Sequence, residues 1–426
     1  MEATLEYLAI GVLIAVLIIA ANQLISTSTG ALEPVREEQL YTVAERVMDK
    51  ILLTPGYPPD WGTNIMVNAD NLQDLGLALY GTRSPYVVDP DKVMRLANLS
   101  TLPNPLLLNS TRFAELLHLT DYGFRFVMKP MIKVEISPTG VCYPVKAGIC
   151  YPAEFDIRVY NHYGVGLPNA RVTGIYVIVK VDPNPNNSLE GLLNKSAVLV
   201  VSALTDALGN CRLNFYSQLD SFFSPEGGAE RQTKWYYPFL IVYAEWQGFT
   251  SVAGHAVSAQ GGVPAEGYII GNYVFLHKDI ELVVVRGRGN RNAGAVQTKD
   301  ALLQVLPEYQ SLLNVTKVTW CRDASTGNFR DDDPLCNTAG RVLPSAKQWY
   351  LIGYVDYVEQ LSSHVFIFAK YRGSPVAIVV SRVPDIEISS GGSVPANAVT
   401  VRRLAKIYEY PYIIELTVWR KVEGYP

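Results

Sequence analysis

The chain has 426 residues, 49% of them apolar and only 18% charged, a balance that can bury a sizeable core and excludes a largely disordered protein. At that length two or three folded units are expected. The net charge is −4 and the Lys and Arg residues form no basic stripe, which argues against nucleic acid as a partner.

Residues 7–21 are an unbroken run of apolar or small residues, and Leu24 and Ile25 carry it past Asn22 and Gln23. As a helix these 19 positions would span roughly 28 Å, close to the thickness of a bilayer core. No Lys or Arg precedes Arg36, and Glu2 and Glu6 stand near the start, so a removable secretory signal is not expected. Gly11 and Ala15 stand four apart, with Ala20 and Ala21 further along, a spacing that lets helix backbones approach closely. Beyond Gly30, Pro34 suits a first helical turn, and Leu40, Val43, Ala44, Val47 and Ile51 recur on one face until the Pro-rich residues 53–59. The pattern predicts a long N-terminal helix over residues 1–53, apolar and then amphipathic, with a weak joint at Gly30. The amphipathic half needs a partner, either the protein's own body or a neighbouring copy.

Glu2, Glu6, the run from Leu8 to Ala21, the break at Gly30 and the amphipathic stretch to Leu53 resemble the type IV pilin-like proteins of archaea. The resemblance covers the first 53 or so residues. It implies a homo-oligomeric helical filament in which Glu6, Leu8, Gly11, Ala15, Ile18 and Ala21 pack against identical helices. It also implies a membrane as partner before assembly, and a β-rich head facing outward for adhesion, with a surface or glycan as its ligand. Glu6 would then meet a neighbour's N-terminal amine, since an unpaired carboxylate in an apolar bundle is costly. The alternative is a single-pass membrane-anchored surface or envelope protein that does not polymerise. Positive charge alone, with Arg36, Arg46 and Lys50 all beyond the apolar run, would put the body inside. The cysteines and sequons described below argue for an extracellular body.

With 26 Tyr and 26 Pro against 13 Phe, the rest of the chain favours strands and ordered turns. Residues 54–128 read as a mixed connecting region. Strand signals then come at short spacing at 132–136, 154–160, 171–181, 197–202, 212–216 and 236–246. The turn at 166–172, the Thr205, Asp206 and Gly209 turn, and the strand 213–215 resemble the immunoglobulin-like repeats of bacterial and archaeal surface proteins. That unit is placed at 129–287. A second β-rich unit is placed at 288–426, with strands expected at 315–320, 349–358, 365–371, 376–383 and 413–419. The fold class expected is therefore mainly β, a long N-terminal helix followed by two immunoglobulin-like sandwich domains.

Five cysteines allow at most two internal disulfides. Cys142 and Cys150 bracket a short loop, Cys321 and Cys336 a polar one, and Cys211 lies in a strand-like stretch, so these two pairs are expected, in an oxidising compartment. Sequons at Asn98, Asn109, Asn186, Asn194 and Asn314 are candidate glycosylation sites on exposed loops or strand edges. Asp331, Asp332 and Asp333 supply hard oxygen ligands and are a weak calcium candidate, although the order of an EF-hand is absent. The five histidines stand far apart. No metal-binding His or Cys spacing, Walker A loop or nucleophile elbow occurs, and residues 287–292 lack the third glycine of a dinucleotide fingerprint. Neither an enzyme nor a cofactor is expected.

Overall fold

The computed structural model describes residues 17–20, 38–97, 108–146, 148–181, 197–225, 235–256, 267–277, 280–282, 295–298, 313–316, 318–321, 328–342, 350–355, 364–371, 374–408 and 410–421. The fold is mainly β, with 47% strand against 20% helix. A helical turn at 17–20 and helix α1 (38–53) precede α2 (Pro90–Leu96) and α3 (Ser110–Leu116). Eight strands follow: β1 (Tyr122–Pro130), β2 (Ile132–Pro138), β3 (Cys142–Lys146), β4 (Ile149–Pro152), β5 (Glu154–Asn161), β6 (Arg171–Val181), β7 (Ala197–Leu204) and β8 (Asn210–Asn214). Helix α4 (Tyr216–Phe223) leads to β9 (Trp235–Trp246), β10 (Phe249–Ala256), β11 (Gly267–Ile270), β12 (Tyr273–His277) and β13 (Ile280–Leu282). Then come β14 (Ala295–Thr298), β15 (Leu313–Thr316), β16 (Val318–Trp320) and helix α5 (Pro334–Val342). The last strands are β17 (Tyr350–Val355), β18 (His364–Tyr371), β19 (Ser374–Ser381), β20 (Ile386–Ser390), β21 (Val399–Ile407) and β22 (Tyr410–Arg420).

Strands β2, β5 and β8 form one sheet of a sandwich and β10, β9, β6 and β7 the other. Alternate residues meet between them, with Phe155, Ile157, Val159 and Leu213 facing Val172, Tyr176, Leu240 and Val242. The strand order is the Greek key of immunoglobulin-like sandwiches, with the fourth strand moved to the edge of the opposite sheet. Thr205 pins its turns together: the buried hydroxyl donates to the Leu167 carbonyl (2.6 Å) and accepts from the Ala170 amide (2.8 Å). The adjacent turn closes so tightly that a Cβ on Gly166 would collide with the Leu208 carbonyl, and Gly209 sits at φ +81°.

A second sheet joins distant parts of the chain in the order β20, β1, β22, β21, all antiparallel. Phe124, Phe126 and Met128 of its central strand share a core with Leu40, Ala44, Met48 and Ile51 of α1 and with Phe113 of α3, whose ring stacks on Phe124 at 5.3 Å. Glu45 and Arg403 (3.0 Å) and Gln39 and Arg420 (3.0 Å) tie α1 to the same sheet. Strands β3 and β4 pair with each other against the sandwich core, and the remaining strands make two further sheets, β11-β12-β17-β16 and one centred on β18, around a third core that includes Ile269, Phe275, Ile352, Ile367 and Ile378.

These findings correct the expected fold class. Among the described residues there is no long N-terminal helix, and the apolar stripe of the amphipathic stretch is used up on the protein's own second sheet. Among the described residues no helix is long and apolar enough to cross a membrane, and most of the apolar run expected to do so lies outside them. Nor do the described strands form two sandwiches in series. β1 pairs with β20 and β22, while β12 and β13 pair with β17 and β18, so the strands after 288 complete sheets begun earlier.

Five charged side chains are buried where these layers meet: Asp89, Asp91, Lys92, Arg95 and Arg382. Asp89 caps α2 by accepting from the Asp91 amide (2.9 Å) and lies 3.6 Å from the Lys92 ammonium. Lys92 also donates to the Ala78 carbonyl (2.9 Å), and Arg95 donates to the carbonyls of Trp61, Asn64 and Val67. Arg382, the residue just after β19, donates to Asp91. Burial raises the Asp89 carboxyl, helped by repulsion from Asp91; it lowers Lys92 and brings Arg95 down to about 10. Replacing Arg382 by Ala leaves Asp91 charged and buried, and should cost about 3–5 kcal/mol of unfolding free energy. Urea unfolding followed by tryptophan fluorescence measures it; a loss under about 1 kcal/mol would contradict the role given to the pair.

Candidate functional site

Only Met131 separates β1 from β2, so the chain steps from the second sheet into the sandwich within one residue, its amide bonded to the Pro411 carbonyl (2.9 Å). The step leaves a cleft of about 230 Å³ lined by residues of four sheets, both layers of the sandwich included. The sandwich contributes Lys133, Tyr160, Ser251 and Gly254; the second sheet contributes Tyr410 and Tyr412; β18 and β19 contribute His364 and Ser381. Residue 385, just before β20, completes the mouth, where Lys133 and Asp385 form an ion pair.

Exposure sets the depth of each group. The side chains of Asp385 and Lys133 are 44% and 22% exposed, whereas Ser251 is 7% and His364 2% exposed. The ion pair is therefore the rim and the imidazole the floor. His364 and Ser381 are directly opposite one another on β18 and β19. Burial drives the His364 imidazole down to about 4, so at neutral pH it is an uncharged group with one donor and one acceptor nitrogen. Burial likewise raises the Tyr412 phenol, with Asp385 adding to the effect. Ser381 and Val383 line the cleft, while Arg382 between them is buried against Asp91. The back of this wall is thus held by the charged cluster. The arrangement offers hydroxyls, a neutral imidazole, aromatic rings and a self-neutralised rim, which is the chemistry of binding a small polar molecule.

Cys142 is bonded to Cys150 and Cys321 to Cys336, with Cα separations of 5.7 and 5.2 Å, and Cys211 is a free thiol. Burial pushes the Cys211 thiol up to about 11, with Asp206 adding to it, so it is protonated and unreactive at neutral pH. Asp333 is committed as the cap of α5: its carboxylate accepts from the amides of Leu335 (3.0 Å) and Cys336 (3.2 Å) and from the Tyr354 hydroxyl (2.9 Å). Asp331 and Asp332 are exposed beside it. Among the described residues no group of three or more His, Cys, Asp or Glu is placed to hold a metal ion.

Of the sequons, Asn109 is exposed and caps α3, its side-chain oxygen accepting from the Arg112 amide (2.8 Å). Asn314 lies on β15, at the end of its sheet's strand order. Asn98, Asn186 and Asn194 lie outside the described residues, as do Glu6, Leu8, Gly11, Ala15 and Ala21. Ile18 is described: with Leu17 and Ile19 it is 57–61% exposed. None of the expected site residues that are described lines the cleft. His364 was visible only as one of five scattered histidines, and the other lining residues carry no motif.

No protein-family model, no curated protein and no solved structure matches this chain.

Because His364 titrates near 6.5 when unfolded and about 4 when folded, the unfolded chain binds more protons between those values. The stability it contributes is complete above pH 6.5 and is lost as pH falls through about 4, roughly 3 kcal/mol in all. The difference in unfolding free energy between wild type and His364→Gln should therefore change across that window and be flat above it. A difference independent of pH from 7.5 to about 4 would overturn this.

Proposed function

We propose that this chain is a structural subunit of an extracellular filament of the type IV pilus-like kind, assembled through its apolar N-terminal segment with the β body facing outward for adhesion. The observation that carries the reading is the exposure of Leu17, Ile18 and Ile19, three consecutive large apolar side chains on one helical turn that the body does not cover. Helix α1 has already buried its own stripe, so the apolar turn at 17–19 has no part in that packing. Contiguous apolar patches of several hundred Å² mark assembly sites, and the apolar run on either side of this turn supplies the residues for one. The sequence around it, with Gly11 and Ala15 among Leu and Ile, suits packing against identical segments better than contact with lipid alone.

Two disulfides support an oxidising and hence extracellular setting. The reading gives the chain no catalytic role and no nucleic-acid partner. Membrane contact belongs to the stage before assembly.

Electron microscopy of the purified full chain is the direct test. Wild type should form filaments, and Gly11→Leu should abolish them while circular dichroism shows the β body unchanged. Filaments formed equally by the variant, or wild type recovered only as monomers from membrane extracts, would replace this reading with that of a surface protein that does not polymerise.

A further inference from the structure

We propose that the cleft between the sandwich, the β1–β22 sheet and the β18–β19 sheet binds a single neutral sugar ring. The inference rests on the adhesion reading only for its biological setting; the chemistry is that of the cleft itself. The charges at the rim, Lys133 and Asp385, already neutralise one another, so an anion or a cation would have to break that pair to enter. A ligand bearing adjacent hydroxyls can instead accept from the ammonium and donate to the carboxylate at once, keeping both charges satisfied.

Deeper in the cleft the groups are hydroxyl and imidazole, from Ser251, Ser381 and His364, which pair with neutral donors and acceptors. Tyr160, Tyr410 and Tyr412 supply the aromatic surface on which the apolar C–H face of a sugar packs. Residues 252–254 of β10, the edge strand of its sheet, line one side. An edge strand has main-chain amide and carbonyl groups without a sheet partner on its outer side.

Size sets the limit. A volume of about 230 Å³ lies below the roughly 300 Å³ at which pockets for drug-sized ligands begin, and so suits one ring. A longer glycan would therefore be recognised by one terminal unit and gain little from the rest.

Saturation-transfer NMR and titration calorimetry of the full chain with neutral hexoses, N-acetylhexosamines, uronic acids and short oligosaccharides test the proposal. At least one neutral monosaccharide should bind with a Kd in the low-millimolar range, on the order of what about a dozen non-hydrogen atoms support. Its oligosaccharides should bind within about threefold of it, a difference of about 0.6 kcal/mol. Ser251→Leu, which fills the floor, should weaken binding at least tenfold. Asp385→Ala, at the exposed rim, should do the same and provides the test if the buried substitution does not fold. Absence of saturable binding by any neutral sugar, tighter binding of uronic acids, or neutral-sugar binding unchanged in Asp385→Ala would each overturn the proposal. Electron microscopy of the same samples separates the two readings. Filaments that bind no sugar would overturn this inference and leave the filament intact, whereas sugar binding by a chain that never polymerises would support this inference and overturn the filament.

Discussion

A carboxylate and a guanidinium that water does not reach, Asp91 and Arg382, join parts of the chain 291 residues apart. Two charges of this kind are expensive to bury, and their mutual attraction offsets the desolvation only if the remaining lone pairs and protons are satisfied. The neighbourhood is organised to do that. Asp89 accepts from the first amides of α2, Lys92 and Arg95 donate to carbonyls of the segment from 61 to 78, and the Tyr408 ring lies 6.0 Å from the Arg382 guanidinium. The irregular segment between α1 and α2 thus owes its conformation to cations that need its carbonyls. Through Arg382 the same cluster fixes the end of β19 and so one wall of the cleft.

Strand β9 is the mechanical counterpart of that cluster. Residues 236–244 are all buried, the even-numbered ones inside the sandwich and the odd-numbered Tyr237, Phe239, Ile241 and Tyr243 in the core shared with the second sheet. A strand flanked by apolar layers on both sides cannot slip in register without exposing one face to the wrong neighbour. Strand β19 lies against β9 and β10, so the sandwich and the β18 sheet are held at a fixed separation. The cleft is the space that separation leaves.

Much of the sandwich was legible because its signals are local. The turn around Gly166 and the Thr205 to Gly209 turn are written in residues whose hydrogen bonds close within a few positions, and Thr205 bonds across them in the manner such motifs require. The stripe on α1 was equally plain, but periodicity says only that a face is covered and not by what; the cover turned out to be the chain's own second sheet. The pairing of β1 with β20 and β22 was not legible, since alternation along a strand carries no address for its partner. One local signal does point beyond the sandwich. The unbroken apolar run in β9 is the mark of a strand buried on both faces, and it implied a further layer outside the sandwich. The cleft stayed hidden for the same reason as the pairing, because His364, Ser251, Lys133 and Asp385 come together only through contacts distant in sequence.

The central position of β1 also orders events during synthesis. Its two partners begin at Ile386 and Tyr410, more than 250 residues after β1 ends at Pro130. At ribosomal rates of about 5–20 residues per second, β1 waits on the order of tens of seconds with both edges open. The seven strands of the sandwich, β2 and β5 to β10, all emerge in that interval, before Ala256 has been passed. The inserted unit can therefore close first, and the frame that carries it is completed last, from the two ends of the chain inward.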